Sequence, residues 1–196
     1  MKKVLFVMST AALLGTAAIA GENSSGAYIG LGFGSTGYAD DKYVKDEENR
    51  ADLDKTDKGY TLYGGYQFNN IIAVEGSYKD YGTFSAEQDY SQSAAVISVG
   101  ANVGYSFLDG QLRPFALLGL GLVDLDIKNS NLVVDDTGVS VHYGMGVQYE
   151  PDALIGFGLR LAYEEDFYAI KVEKPSEDET YGQALGMLYL GVQYKF

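Results

Sequence analysis

Ser140 and His142 put a hydroxyl and the only imidazole of the chain two residues apart, on one side of an alternating segment. A serine next to a base is the start of a nucleophilic hydrolase, provided that an acid orients the base. The sequence sets no acid beside them, so the simpler reading is a structural histidine inside a polar network. A second group consists of single charges set into apolar surroundings: Glu75, Lys79, Arg160, Glu164 and Lys195, with the amides Asn102, Gln148 and Gln193 nearby in pattern. Acidic clusters form a third. Asp52, Asp54 and Asp57, and likewise Glu177, Asp178 and Glu179, have a spacing at which carboxylates can take Ca²⁺. Neither follows a dedicated calcium-loop pattern, so solvated surface loops are expected, with no metal and no cofactor.

These residues sit in a chain of unusual make-up. It has 196 residues, 17 tyrosines, 25 glycines, no cysteine and a formal charge of -13. Tyrosine and glycine both exceed ordinary usage. Without cysteine there are no disulfides and no thiolate metal sites. The acidic balance argues against a nucleic-acid partner.

Residues 1–20 read as a separate object. Lys2 and Lys3 give a positive start, Val4 to Gly15 an apolar run, and Ala18-Ile19-Ala20 a small-x-small cleavage site, the pattern of a secretory signal peptide. Cleavage before Gly21 leaves a domain of residues 21–196, and losing Lys2 and Lys3 takes the formal charge from -13 to -15.

From Gly26 onward the hydrophobic signal has period two, which means strands. Ile29, Leu31 and Phe33 oppose Gly30, Gly32 and Gly34. Tyr60, Leu62, Tyr66 and Phe68 oppose Thr61, Tyr63, Gly65 and Gln67. Ile72, Val74 and Tyr78 oppose Glu75, Ser77 and Lys79. Ile97, Val99, Val103, Tyr105 and Phe107 oppose Ser98, Gly100, Asn102 and Gly104. In Leu112 to Leu122 the register follows from the glycines: Gly119 and Gly121 join the glycine-rich face if Leu118, Leu120 and Leu122 join the apolar one, which sends Phe115 and Leu117 to the small face. Val139, Val141, Tyr143, Met145, Val147 and Tyr149 oppose Ser140, His142 and Gln148. Ile155, Phe157, Leu159, Leu161 and Tyr163 oppose Gly156, Gly158, Arg160 and Glu164. Leu188, Leu190, Val192, Tyr194 and Phe196 oppose Gly191, Gln193 and Lys195.

The links between these eight runs alternate long and short. Ser35–Lys58, Thr83–Gln92, Asp124–Asp136 and Glu165–Tyr181 are long, whereas Asn69-Asn70, Asp109-Gly110 and Pro151-Asp152 mark tight turns. All short turns therefore fall at one rim. Strands that carry charge opposite their large apolar residues, closed and alternating, describe an all-β, eight-stranded antiparallel up-and-down transmembrane β-barrel. A soluble barrel would reverse the two faces. The strands that descend to the short-turn rim end outwardly in aromatic residues, Tyr66, Phe68, Tyr105, Phe107, Tyr149, Tyr194 and Phe196, as expected of an interfacial girdle.

On this alternation, the leader and the terminal aromatic, residues 26–196 resemble the small outer-membrane β-barrel family that includes the OmpA transmembrane domain, OmpX and the opacity proteins. The stretch LRPFALLGLGL, Leu112 to Leu122, is similar to a strand common in such barrels. The resemblance implies an integral bacterial outer-membrane protein, with extracellular loops and periplasmic termini. It also implies that Leu188, Leu190, Val192, Tyr194 and Phe196 form the signal read by the outer-membrane assembly machinery, with periplasmic chaperones as earlier partners. Outer-membrane lipids and lipopolysaccharide would surround it, and host or phage ligands would meet its loops. A monomer is expected, as is a structural or adhesive role without enzyme activity. A barrel of eight strands is just wide enough for side chains to fill it. Glu75, Lys79, Asn102, His142, Arg160, Glu164 and Lys195 are thus expected to form a closed interior polar network. The alternatives are a narrow porin-like channel for small solutes and a lipid A-modifying barrel enzyme built on Ser140 and His142.

Overall fold

The computed structural model describes residues 25–40, 56–86, 90–128, 137–172 and 179–196. They form eight strands: β1 (Gly26–Asp40), β2 (Thr56–Gln67), β3 (Ile72–Ala86), β4 (Tyr90–Gly104), β5 (Leu112–Lys128), β6 (Thr137–Tyr149), β7 (Phe157–Val172) and β8 (Glu179–Lys195). Each pairs antiparallel with the next and β8 closes on β1, giving a barrel without free edges. Closure satisfies the backbone hydrogen bonds that lipid could not.

The short turns are built by the residues that announce them. Asn69 Oδ1 accepts the amides of Ile71 and Ile72, at 2.8 and 2.9 Å. Leu108, Asp109 and Gly110 all take positive φ, which Asp and Gly tolerate and which lets Leu112 donate its amide back to Phe107. A single 3₁₀ turn, Asp152–Leu154, joins β6 to β7.

The faces separate as the period-two pattern requires. Leu118, Leu120 and Leu122 point outward while Phe115 and Leu117 are buried inside, so the glycine-based register of β5 holds. Interior glycines are spaces for aromatic rings: a Cβ on Gly30 would stand 2.3 Å from the Tyr63 ring, and one on Gly32 would stand 2.4 Å from that of Tyr189.

The strands extend beyond the expected links. The segment Glu165–Tyr181, read as a loop, is strand up to Val172 and again from Glu179. Three consecutive acids, Glu164, Glu165 and Asp166, resemble solvent-facing sequence but alternate in, out and in along β7. The extension has a visible boundary. On the outer wall an apolar or aromatic residue gives way to a small or polar one at Phe33/Ser35, Tyr60/Lys58, Tyr78/Asp80, Ile97/Ala95, Leu122/Asp124, Val139/Thr137, Tyr163/Glu165 and Leu188/Gly186. Just past it the interior becomes largely apolar, with Ala94, Val96, Val123, Leu125 and Leu185 buried, Thr36 and Asp166 being polar residues among them.

Candidate functional site

Strand alternation brings one side chain in two to the barrel axis, and the interior of the belt region is charged. The buried ionisable groups of opposite sign balance: Glu75, Glu164 and Asp166 against Lys79, Arg113 and Arg160, with His142 among them. Unpaired charges here would be costly, so pairing geometry decides whether the arrangement is stable.

Arg160 is the centre. Its Nη1 and Nη2 donate to Glu75 Oε1 and Oε2 at 3.0 and 2.8 Å, a bidentate fork. Its guanidinium carbon lies 4.2 Å from the Tyr63 ring centroid and 4.3 Å from that of Phe115, so two aromatic faces sandwich the cation. Glu75 also accepts from Tyr28 OH at 2.6 Å and Asn102 Nδ2 at 3.2 Å.

Towards the long-loop side, Lys79 Nζ stands 3.1 Å from Glu164 Oε2 and 3.1 Å from Asp166 Oδ2. Tyr189 OH donates to Glu164 at 2.6 Å and Tyr81 OH to Asp166 at 2.7 Å. His142 Nδ1 lies between Lys79 Nζ at 3.1 Å and Asp166 Oδ1 at 3.3 Å, so its tautomer decides whether it accepts from the ammonium or donates to the carboxylate. Ser140 donates to Asp166 Oδ1 at 3.2 Å. The acid that sequence spacing did not supply comes from β7, yet serine and histidine are not bonded to each other: both turn to Asp166 Oδ1, Ser140 through its hydroxyl and His142 through Nδ1. Both residues are buried inside the barrel, away from the wall that faces lipid. The geometry is that of a packed polar core.

Towards the short-turn rim a chain of amides runs out from Arg113, whose Nη1 donates to Asn102 Oδ1 at 2.7 Å and Gln148 Oε1 at 3.1 Å. Gln148 Nε2 donates to Gln193 Oε1 at 2.7 Å, and Gln193 Nε2 to Glu150 at 2.6 Å. Lys195 Nζ donates to Gln67 Oε1 at 3.1 Å and lies 3.8 Å from Glu150. A polar recess opens here between Gln67, Gln111, Arg113, Gln148, Glu150 and Lys195. Above it Asn102, Arg160 and Lys79 have no exposed surface.

Of the residues expected in the network, Glu75, Lys79, Asn102, His142, Arg160 and Glu164 are buried inside the barrel, and Lys195 is part-buried at the short-turn rim. Five residues of the network were missed. Arg113 was taken as part of a strand signature, and Asp166 was assigned to a loop. Tyr28, Tyr81 and Tyr189 carry hydroxyls that the carboxylates need, and for Tyr28 and Tyr189 the facing glycines Gly65 and Gly32 were the available signal. The outer boundary of the belt also carries aromatics, Phe33, Tyr60, Tyr78 and Tyr163, which form a second row.

The first row packs edge to face. Ring centroids are 5.2 Å apart in Tyr66–Phe68, 4.9 Å in Tyr105–Phe107 and 5.1 Å in Tyr194–Phe196, and Tyr149 is exposed beside them. Phe68 and Tyr60 are separated by about 20 Å of height, given roughly 3.3 Å per residue and a tilt near 40°. That is comparable with an apolar band of about 25 Å. Leu188, Leu190 and Val192 project outward below the second row.

Asp57 is described, and its two oxygens are taken by the amides of Lys58 and Thr83 at 2.7 and 2.6 Å. Asp52, Asp54, Glu177 and Asp178 lie outside the described residues. Among the described residues no three His, Asp or Glu side chains converge as metal ligands.

The model of the outer membrane protein beta-barrel domain family matches residues 6–196. The chain belongs to that family. Among solved structures this outer-membrane barrel is similar to Ail, the attachment invasion locus protein of Yersinia pestis, solved in complex with the heparin analogue sucrose octasulfate. The two share 21% identity and a TM-score of 0.56, over 89% of this chain and 100% of Ail. It is similar to OprG of Pseudomonas aeruginosa at 14% identity and a TM-score of 0.58, over 89% and 98% of the two chains. Neisserial surface protein A aligns at 18% identity and a TM-score of 0.53, over 89% and 100%. At such identities the likeness is one of fold. No curated protein sequence matches the chain.

Proposed function

We propose that this outer-membrane barrel is a closed wall element whose work is done at its surfaces, in membrane integrity and in contacts made by its loops. The observation that carries this reading is the Arg160 centre: a bidentate ion pair clamped between two aromatic rings, fully buried at mid-height and bonded on both sides to further buried groups. Such a core leaves no water-filled path, and breaking it would cost several kcal/mol. In this reading residues 1–20 are removed on export, the short turns and both termini face the periplasm, and the long links face outward.

Ail, of the same fold, binds a sulfated sugar analogue. A polyanion of that kind suits this chain poorly, because the mature domain is strongly acidic and its long links hold clusters such as Asp52, Asp54 and Asp57. Neutral or cationic surface ligands fit its charge better.

The buried, lipid-averted Ser140 and His142 favour a non-enzymatic role. Single-channel recording across a planar bilayer tests the closed reading. Absence of discrete steps is expected, and reproducible steps from the purified barrel would overturn it. The assembly role of the last strand is tested separately. Deleting Phe196 should lower insertion in cells far more than Tyr149→Ala, because only the former ends the strand; equal insertion would remove the distinction.

A further inference from the structure

Among the described residues, two opposite charges on the outer wall have no ionic partner. Glu165 stands outward on β7 between Tyr163 and Phe167, and each of its oxygens accepts a tyrosine hydroxyl, one from Tyr143 and one from Tyr163 at 2.7 Å. The carboxylate is thereby fixed but not neutralised. Lys58 stands exposed on β2 and makes no ion pair among the described residues.

Their places are related. The ladder from Lys58 runs through Ser35 on β1 and Leu188 on β8 to Tyr163, two residues before Glu165 and one of its donors. The two charges therefore lie at nearly one level, one strand to either side of the β1–β8 seam. At that level the seam carries Ser35, Gly37, Ala184 and Gly186, so no bulky side chain stands between them.

We propose that a second copy of this chain docks on the β7–β8–β1–β2 face about a two-fold axis parallel to the barrel axis, each Glu165 meeting Lys58 of the other copy. A two-fold interface must be self-complementary, and opposite charges equidistant from the axis meet that condition. A lipid phosphate would satisfy Lys58 but repel Glu165. One occupant that offers a cation and an anion at the same separation satisfies both, and a second copy does so without further parts. The monomer expected from the sequence rested on no knowledge of which charges stay unpaired.

The chain has no cysteine, so each introduced thiol is unique. In phosphatidylcholine vesicles free of lipopolysaccharide, oxidation of Ser35→Cys should give a disulfide-linked dimer. Val99→Cys, exposed on the opposite wall, should not. Adding Glu165→Lys or Lys58→Glu to the Ser35→Cys chain should cut the yield about tenfold or more, and both together should restore it. Each variant's folding is read from its gel migration before and after boiling. Cross-linking at Ser35→Cys no greater than at Val99→Cys overturns the proposal. So does failure of a folded double variant to recover, or cross-linking that appears only when lipopolysaccharide is added, which would give these charges to lipid. If the charge variants do not fold, the comparison of the two single-cysteine chains decides alone.

Discussion

The barrel has two interiors that differ in kind. Below the outer boundary of the belt its axis is filled by Glu75, Arg160, Asn102, Arg113, Lys79 and Glu164; just above, mostly by Val96, Val123, Leu125 and Leu185, with Asp166 the charged exception beside Leu185. Strand β5 passes through both. Its outward residues run Leu118, Leu120, Leu122 and then Asp124, while its inward residues run Arg113, Phe115, Leu117 and then Val123 and Leu125. The reversal follows from the medium outside. Where lipid covers the wall, large apolar side chains gain nothing by turning inward and polar groups must be hidden. Where the wall stands in water, the ordinary rule of apolar inside returns. One closed sheet thus obeys membrane rules over one part of its height and soluble-barrel rules over the next.

The contrast can be broken most severely from its charged side. Arg160→Met leaves Glu75 buried without its cation and should cost about 3–5 kcal/mol. Reversible urea unfolding in lipid vesicles measures it, and adding Glu75→Leu should recover more than half, since neither charge then remains. A loss that the double variant does not reduce would mean that the pair is not the source of stability.

From the apolar side, Leu185→Ala empties part of the upper core and should cost about 3 kcal/mol. Leu188→Ala, three residues on but facing lipid, should cost less because lipid can fill the gap. Equal losses in the same unfolding assay would erase the distinction between the two environments.

The boundary itself predicts an asymmetry between neighbours on one face. Leu118→Lys sets a charge in the belt and should cost about 2 kcal/mol or more. Asp124→Lys, beyond the boundary, should stay within about 0.5 kcal/mol of the parent. Between these two falls His142→Gln, about 1 kcal/mol, because an amide can still bond beside Lys79 and Asp166. A much larger loss would give His142 a part that its contacts do not explain.

The charged interior was legible in the sequence and the apolar one was not, for a physical reason. Glu75, Lys79, Arg160 and Glu164 stand out because they interrupt alternating apolar strands, so face assignment alone sends them inward. Asp166 obeys the same alternation but follows Glu164 and Glu165, and three acids in a row carry the composition of a solvent loop. Leu185 and Leu125 sit where the outer face has become small or polar, so the contrast that marked the lower strands is reversed and the pattern no longer points the same way. Arg113 was hidden by its neighbour Pro114, which suggests a strand start. The register of β5 was legible only because Gly119 and Gly121 leave room that larger residues would not.

The change of medium along the wall is tested most directly by single-cysteine nitroxide scanning of β5, from residue 118 to residue 125, in lipid vesicles. Labels at 118, 120 and 122 should be accessible to oxygen dissolved in lipid, the label at 124 to a water-soluble relaxant, and labels at 123 and 125 to neither. A label at 124 as lipid-exposed as that at 122, or labels at 123 and 125 open to water, would contradict the account.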